Sequence, residues 1–225
     1  MGAWASLFQL RQPFYPSARL RDPVLGWVFL VVIVLYALAH IVYEFYQPYI
    51  TLLELPLLQA SSHAPLISGI VISISMFGGA IGARASISWQ SRLGLVGVLA
   101  VAMVIQLGIV AAMAISLSPM VLALVCARNF PMALVHAPVR AAIAPRISRQ
   151  QRATYLSLQG LAERLFFAVL LLLLASGLDK GAPIAESTLS VILTSTLWVG
   201  VASAVLLFLF SGRIRQALAS DPVKP

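Results

Sequence analysis

A run such as RLFFAVLLLLLASGL, residues 164–178, decides more about this chain than any motif in it. A helix needs roughly 20 predominantly apolar residues, at about 1.5 Å rise each, to cross the hydrocarbon of a bilayer. Six stretches reach that length: 25–46, 65–83, 93–115, 120–143, 155–178 and 189–210. Hydrophobic residues make up 60% of the chain and charged residues 10%, where a soluble domain carries about 25% charged residues. A transmembrane β-barrel would show short segments of alternating polarity instead. The fold class expected is therefore an all-α integral membrane protein with six transmembrane helices.

Loops rich in Lys and Arg stay on the cytoplasmic side. Arg11, Arg19 and Arg21 precede the first stretch, Arg84 and Arg92 separate the second from the third, Arg140, Arg146, Arg149 and Arg152 separate the fourth from the fifth, and Arg213, Arg215 and Lys224 follow the sixth. That puts twelve of the fifteen basic residues on one face, against Lys180 alone on the other, with Arg128 and Arg164 inside apolar stretches. Both termini are expected in the cytoplasm. The opening segment MGAWASLFQLRQPFYPSARLRDP is broken by Arg11, Pro13, Pro16, Arg19 and Arg21 before any long apolar run, which is not the pattern of a signal peptide. The expected organisation is a cytosolic lead-in over 1–24, a six-helix domain over 25–211 and a cytosolic tail over 212–225. Within the lead-in, WASLFQLR suits either an amphipathic turn on the membrane surface or a flexible tail. The net charge of +8 is spread over four cytosolic segments and needs no nucleic-acid partner to explain it.

Chemistry-bearing residues are few. Cys126 is the only cysteine, so no intrachain disulfide and no cysteine metal site can form. His40, His63 and His136 fall in different segments without ligand spacing, and neither a metal nor another cofactor is expected. PLISGI and LASGL give no nucleophile turn with a histidine partner, and no aspartate cluster marks a metal-dependent phosphotransferase. The chain does not read as an enzyme.

The order of features resembles the C-terminal half, helices seven to twelve, of a major facilitator superfamily transporter. An Arg-rich lead-in runs into a first helix ending YEFYQPYI. A second helix of small residues, ISGIVISISMFGGAIGAR, meets the short basic turn ARASISWQSRLG. The passage APVRAAIAPRISRQQRATYLSLQGLAERLFFAVLLLLL is similar to the tenth-to-eleventh helix passage of bacterial superfamily members. The likeness covers nearly the whole chain, although the basic turn lacks the aspartate of the superfamily's Gly-rich signature. It implies half of a superfamily-type bundle in a bacterial inner membrane, a central cavity lined by the first and fourth helices, and a second helix at the seam between two halves. Three-helix repeats of inverted topology would go with that fold.

Helical spacing places Tyr36, His40, Tyr43 or Glu44, and Gln47 on one face of the first helix. His40 falls about 22 Å along it and Glu44 about 28 Å, so an interfacial aromatic belt accounts for Glu44, Tyr46 and Tyr49 but not for Tyr36 and His40. In the fourth helix Arg128, Met132, His136 and Arg140 repeat every four residues, with Asn129 beside Arg128 and Pro131 interrupting the ladder. An arginine near mid-membrane costs at least about 2.5 kcal/mol and needs a partner or a wet cavity. Glu163, with Gln159 and Arg164 on the fifth helix, lies at similar depth. An Arg128–Glu163 pair is expected, either as a structural tie between helices or as a substrate or proton site. Gly78 and Gly82, with Gly79 beside them, suit close helix packing.

The expected function is transport of a small solute by alternating access, proton-coupled efflux being one form. A superfamily site lies between two six-helix halves, so the partners expected are the bilayer, a small solute, and a second six-helix half or a copy of the chain. A non-transporting, membrane-embedded assembly or interaction subunit is the alternative.

Overall fold

The computed structural model describes residues 22–53, 64–176 and 184–220; lead-in residues 1–21, His63 and Lys180 lie outside the described residues, and the first helix starts at Pro23, inside the expected lead-in. The described elements are helices: α1 (Pro23–Leu52), α2 (Ala64–Ile115), α3 (Pro119–Val125), α4 (Asn129–Ile143), α5 (Arg149–Ala175), α6 (Glu186–Leu209) and α7 (Ser211–Ala219). Five candidate spans have the length and apolarity to cross a membrane: Pro23–Leu52, Ser68–Ile115, Pro119–Ile143, Arg149–Ala175 and Glu186–Leu209. Every described element is thus helical, and the five candidate spans mark a multi-pass membrane protein.

α1 is the axis of the bundle. Asp22 caps it, accepting hydrogen bonds from the amides of Val24 at 2.8 Å and Leu25 at 3.4 Å, and Pro23 takes a first-turn position where no amide is needed. The helix is then buried on nearly every side, from Val24 to Tyr49. Neighbours grip both of its ends. Near the start, Trp27 Nε1 donates to the Leu207 carbonyl at 2.8 Å, and the Tyr155 hydroxyl donates to the Leu25 carbonyl at 3.1 Å. Beside these, Arg146 meets Asp22 at 3.5 Å. Near the other end, the Tyr49 hydroxyl donates to the Ser116 carbonyl at 2.6 Å and accepts from the Ser118 amide at 2.9 Å. Tyr49 and Tyr46 are therefore buried inside the protein, at 0% and 3% exposure. The belt reading fails for both, because a helix at the centre of a bundle turns its rings toward neighbours.

α2 departs from the expected helix boundaries. The basic stretch 84–92 is not a loop: helix runs through it, and Trp89 packs edge-on against Phe130 with ring centres 6.3 Å apart. The one interruption is Gly94, whose φ of 67° and ψ of 177° suit a residue without a side chain. A straight helix of 52 residues would measure about 78 Å at 1.5 Å per residue, far beyond one hydrocarbon layer. The two arms have different neighbours. Before Gly94, a Cβ on Gly78 would sit 3.4 Å from the Cys126 carbonyl oxygen, one on Gly79 3.4 Å from the Asn129 Cβ, and one on Gly82 2.5 Å from the Phe130 carbonyl oxygen. After Gly94, Leu107 packs on Gly200 of α6, and Ser190 donates to the Ala114 carbonyl at 3.3 Å.

The fourth apolar stretch is also divided. Residues 126–128 form a turn between α3 and α4. Pro131 lacks an amide and crowds the carbonyl four residues earlier, so the helix restarts with proline in its first turn. The outer surface of α2, α5 and α6 is apolar, with Phe77, Leu172 and Trp198 each about 70% exposed. α5 buries only Tyr155, Gln159 and Leu170.

Candidate functional site

The break between α3 and α4 sets Arg128 against the last third of α1. Its guanidinium carbon lies 4.9 Å from the centre of the Tyr43 ring and 5.0 Å from that of Tyr46, and the side chain is 3% exposed. Aromatic faces attract a cation electrostatically, by about 2 kcal/mol where water is excluded. They do not accept its hydrogen bonds in the way a carboxylate would, and Arg128 Nη1 has no hydrogen-bond partner among the described residues.

The expected ion pair is not formed. No carboxylate oxygen of a described residue lies within 4.0 Å of the Arg128 guanidinium nitrogens, and Glu163 is engaged elsewhere. Gln159, one turn earlier on α5, donates from Nε2 to Glu163 Oε1 at 3.1 Å. The same amide is 5% exposed and leaves its Oε1 without a partner. The charges do not meet because Arg128 lies over Tyr43 and Tyr46 at the α3–α4 break, while the Glu163 carboxylate is held by Gln159 one turn earlier on its own helix.

Arg128 and Glu163 nevertheless line the same cavity, of about 460 Å³. α1 supplies Tyr36, His40 and Tyr43. Arg128 and Asn129 stand at the break, Met132, His136 and Arg140 follow along α4, and α5 adds Gln159, Gly160 and Glu163. The size falls within the range of small-molecule sites, which are mostly apolar with a few placed polar groups. Val32, Val135 and Leu156 complete the apolar wall.

Local bonds fix the aromatic side. The His40 ring stacks on Tyr36 with centres 3.7 Å apart and 22° between planes, and Phe167 of α5 lies 5.4 Å from it. His40 Nδ1 is 3.0 Å from the Tyr36 carbonyl oxygen. A carbonyl only accepts, so this contact places the proton on Nδ1 and leaves Nε2 as the acceptor of the neutral ring. Asn129 Nδ2 reaches only the Met76 sulfur, at 3.9 Å.

Of the residues singled out in the sequence, Tyr36, His40, Tyr43, Arg128, Asn129, His136, Gln159 and Glu163 come together in this cavity. Glu44, Gln47 and Arg164 do not; they are exposed, and Gln47 donates to the Tyr46 hydroxyl at 3.3 Å. Gly78, Gly79 and Gly82 all face residues 126–133, so α2 closes on the segment that carries Arg128. Tyr46 was missed as part of the Arg128 cradle, although its place three residues after Tyr43 puts the two rings on adjacent turns. Among the described residues no group of three His, Cys, Asp or Glu side chains is placed to hold a metal. Compared with known proteins, the chain matches no family model, no curated protein and no solved structure.

Proposed function

We propose that the chain is one half of a secondary transporter of the major facilitator type, with the cavity between α1, α4 and α5 as its solute site. The observation that carries the reading is Arg128: a cation 3% exposed, at the edge of a cavity inside a membrane-spanning bundle, with a nitrogen that no group of the described residues satisfies. A purely structural arginine is costly there without an acceptor, whereas a solute or water in the cavity supplies one. Each arm of α2 then crosses the membrane once, giving six spans with both termini in the cytoplasm of a bacterial inner membrane. The apolar outer faces of the first α2 arm and of α5 receive a second six-helix half or a copy of the chain.

The test needs no known substrate. In a Cys126→Ser background, a cysteine replacing Met132, which lines the cavity, should react with impermeant thiol reagents added to either side of right-side-out and inverted vesicles. A cavity that alternates its opening reacts from both sides. Lack of reaction from both sides would contradict transport and favour an assembly subunit.

A further inference from the structure

The cavity holds two sets of unmet polar groups of opposite character. At the α3–α4 break stands a donor, Arg128 Nη1, unpartnered on a side chain that is 3% exposed. On α5 stand acceptors: Gln159 Oε1, unpartnered on a side chain 5% exposed, and the Glu163 carboxylate, whose recorded hydrogen bond is the one from Gln159. Both sets line the same cavity, yet the cation and the carboxylate do not pair within 4.0 Å.

We propose, on the reading of this cavity as a solute site, that its solute is a small zwitterion of the amino-acid class, carrying its carboxylate to Arg128 and its ammonium to Gln159 and Glu163. A carboxylate alone would satisfy Arg128 and leave two acceptors facing an anion. An ammonium alone would do the reverse and meet a guanidinium without a counter-charge. Removing opposite charges from water is favourable only where each ends up paired and hydrogen-bonded, and one molecule bearing both charges achieves this at both ends. An ammonium has three donors, enough for Gln159 Oε1 and a free position on Glu163. A carboxylate takes guanidinium hydrogen bonds in a planar, charge-assisted geometry. The walls between the two ends select an apolar or aromatic side group: Val32, Val135 and Leu156 are aliphatic, and Tyr36 and His40 offer a stacked aromatic pair.

The experiment is calorimetric titration of the purified full chain in mild detergent with leucine, methionine and phenylalanine. Each amino acid is compared with its deaminated acid and its decarboxylated amine. At least one amino acid should bind tenfold or more tightly than both of its counterparts. Arg128→Gln and Glu163→Gln should each weaken that amino acid tenfold or more. Glu163→Gln should leave the deaminated acid within twofold, and Arg128→Gln should leave the amine within twofold. Should Arg128→Gln not fold, the ligand series on the unmodified chain decides alone. An acid or an amine binding as tightly as its parent overturns the proposal, leaving a simple anion or cation site. So does the failure of all three amino acids to bind. Neither result touches the transport reading, which the labelling of the Met132 position tests separately.

Discussion

Arg128 lies over the neighbouring rings of Tyr43 and Tyr46, 4.9 and 5.0 Å from their centres, and leaves Glu163 of the same cavity unpaired. The arrangement holds the cation in place without neutralising it. A carboxylate partner would fix Arg128 more strongly and also occupy the donors that a solute would use. Two aromatic faces restrain the guanidinium and leave Nη1 without a hydrogen-bond partner among the described residues.

The cradle makes a prediction about Tyr46. Tyr46→Phe keeps the ring under Arg128 and gives up only the hydroxyl that accepts from Gln47 at 3.3 Å. Tyr46→Leu keeps an apolar group and removes the π face. The leucine variant should be less stable than the phenylalanine variant by about 2 kcal/mol, the scale of a desolvated cation–π contact, in thermal unfolding of the detergent-solubilised chain. Equal stability of the two would show that Arg128 does not depend on the ring face.

Glycines of α2 and its continuation separate close packing from mere permissiveness. A methyl on Gly82 would meet the Phe130 carbonyl at 2.5 Å, whereas nothing lies within 4 Å of a methyl on Gly108. Gly82→Ala should therefore cost about 1–3 kcal/mol by overpacking. Gly108→Ala should gain up to about 1 kcal/mol from helix propensity. Unfolding midpoints that move in the same direction for both would mean that α2 does not approach α4 as closely as described.

Tyr49 ties the end of α1 to the segment between α2 and α3. Tyr49→Phe removes the donor to the Ser116 carbonyl and the acceptor for the Ser118 amide. Leaving such buried groups unsatisfied costs about 1–3 kcal/mol. If the phenylalanine variant unfolds at the wild-type temperature, Tyr49 is in contact with water or lipid instead.

Orientation is tested with cysteines at three exposed positions in the Cys126→Ser background. A cysteine replacing Ser187 should react with an impermeant thiol reagent added outside intact cells. Cysteines replacing Ser91 and Ser148 should react only after the membrane is opened. The reverse pattern would invert the chain and remove the basis for a cytoplasmic basic face.

Hydropathy made the apolar helices legible, although the six expected stretches correspond to five candidate spans, the second and third being merged into Ser68–Ile115. It does not report where a helix ends. The stretch ARASISWQSRLG was read as a turn from its charges, yet with no proline residues 84–92 stay helical and lay Trp89 on Phe130; the break falls at the last residue of that stretch, Gly94, where the backbone takes a left-handed φ. Periodicity likewise gathered Tyr36, His40 and Tyr43 correctly onto one face, because residues three and four apart share a side whatever surrounds the helix. It could not tell that α1 lies at the centre of the bundle. That is why Tyr46 and Tyr49 read as an interfacial belt, although both are buried. The pairing of Arg128 with Glu163 failed for a related reason: both do line one cavity, but hydropathy does not show that the helix breaks at residues 126–128 and sets Arg128 over Tyr43 and Tyr46.

The central claim is that Arg128 and Glu163 share a cavity without being spent on each other, and a double-mutant cycle tests it most directly. Thermal stabilities of Arg128→Gln, Glu163→Gln and the double variant are measured in the same detergent without added solute. Because both side chains line one cavity, the double variant should be more stable than the sum of the two effects by no more than about 0.5–1 kcal/mol, a coupling through the cavity without direct contact. A double variant markedly more stable than that sum, recovering most of what either single change loses, would show that the two charges form a buried ion pair and would contradict the account.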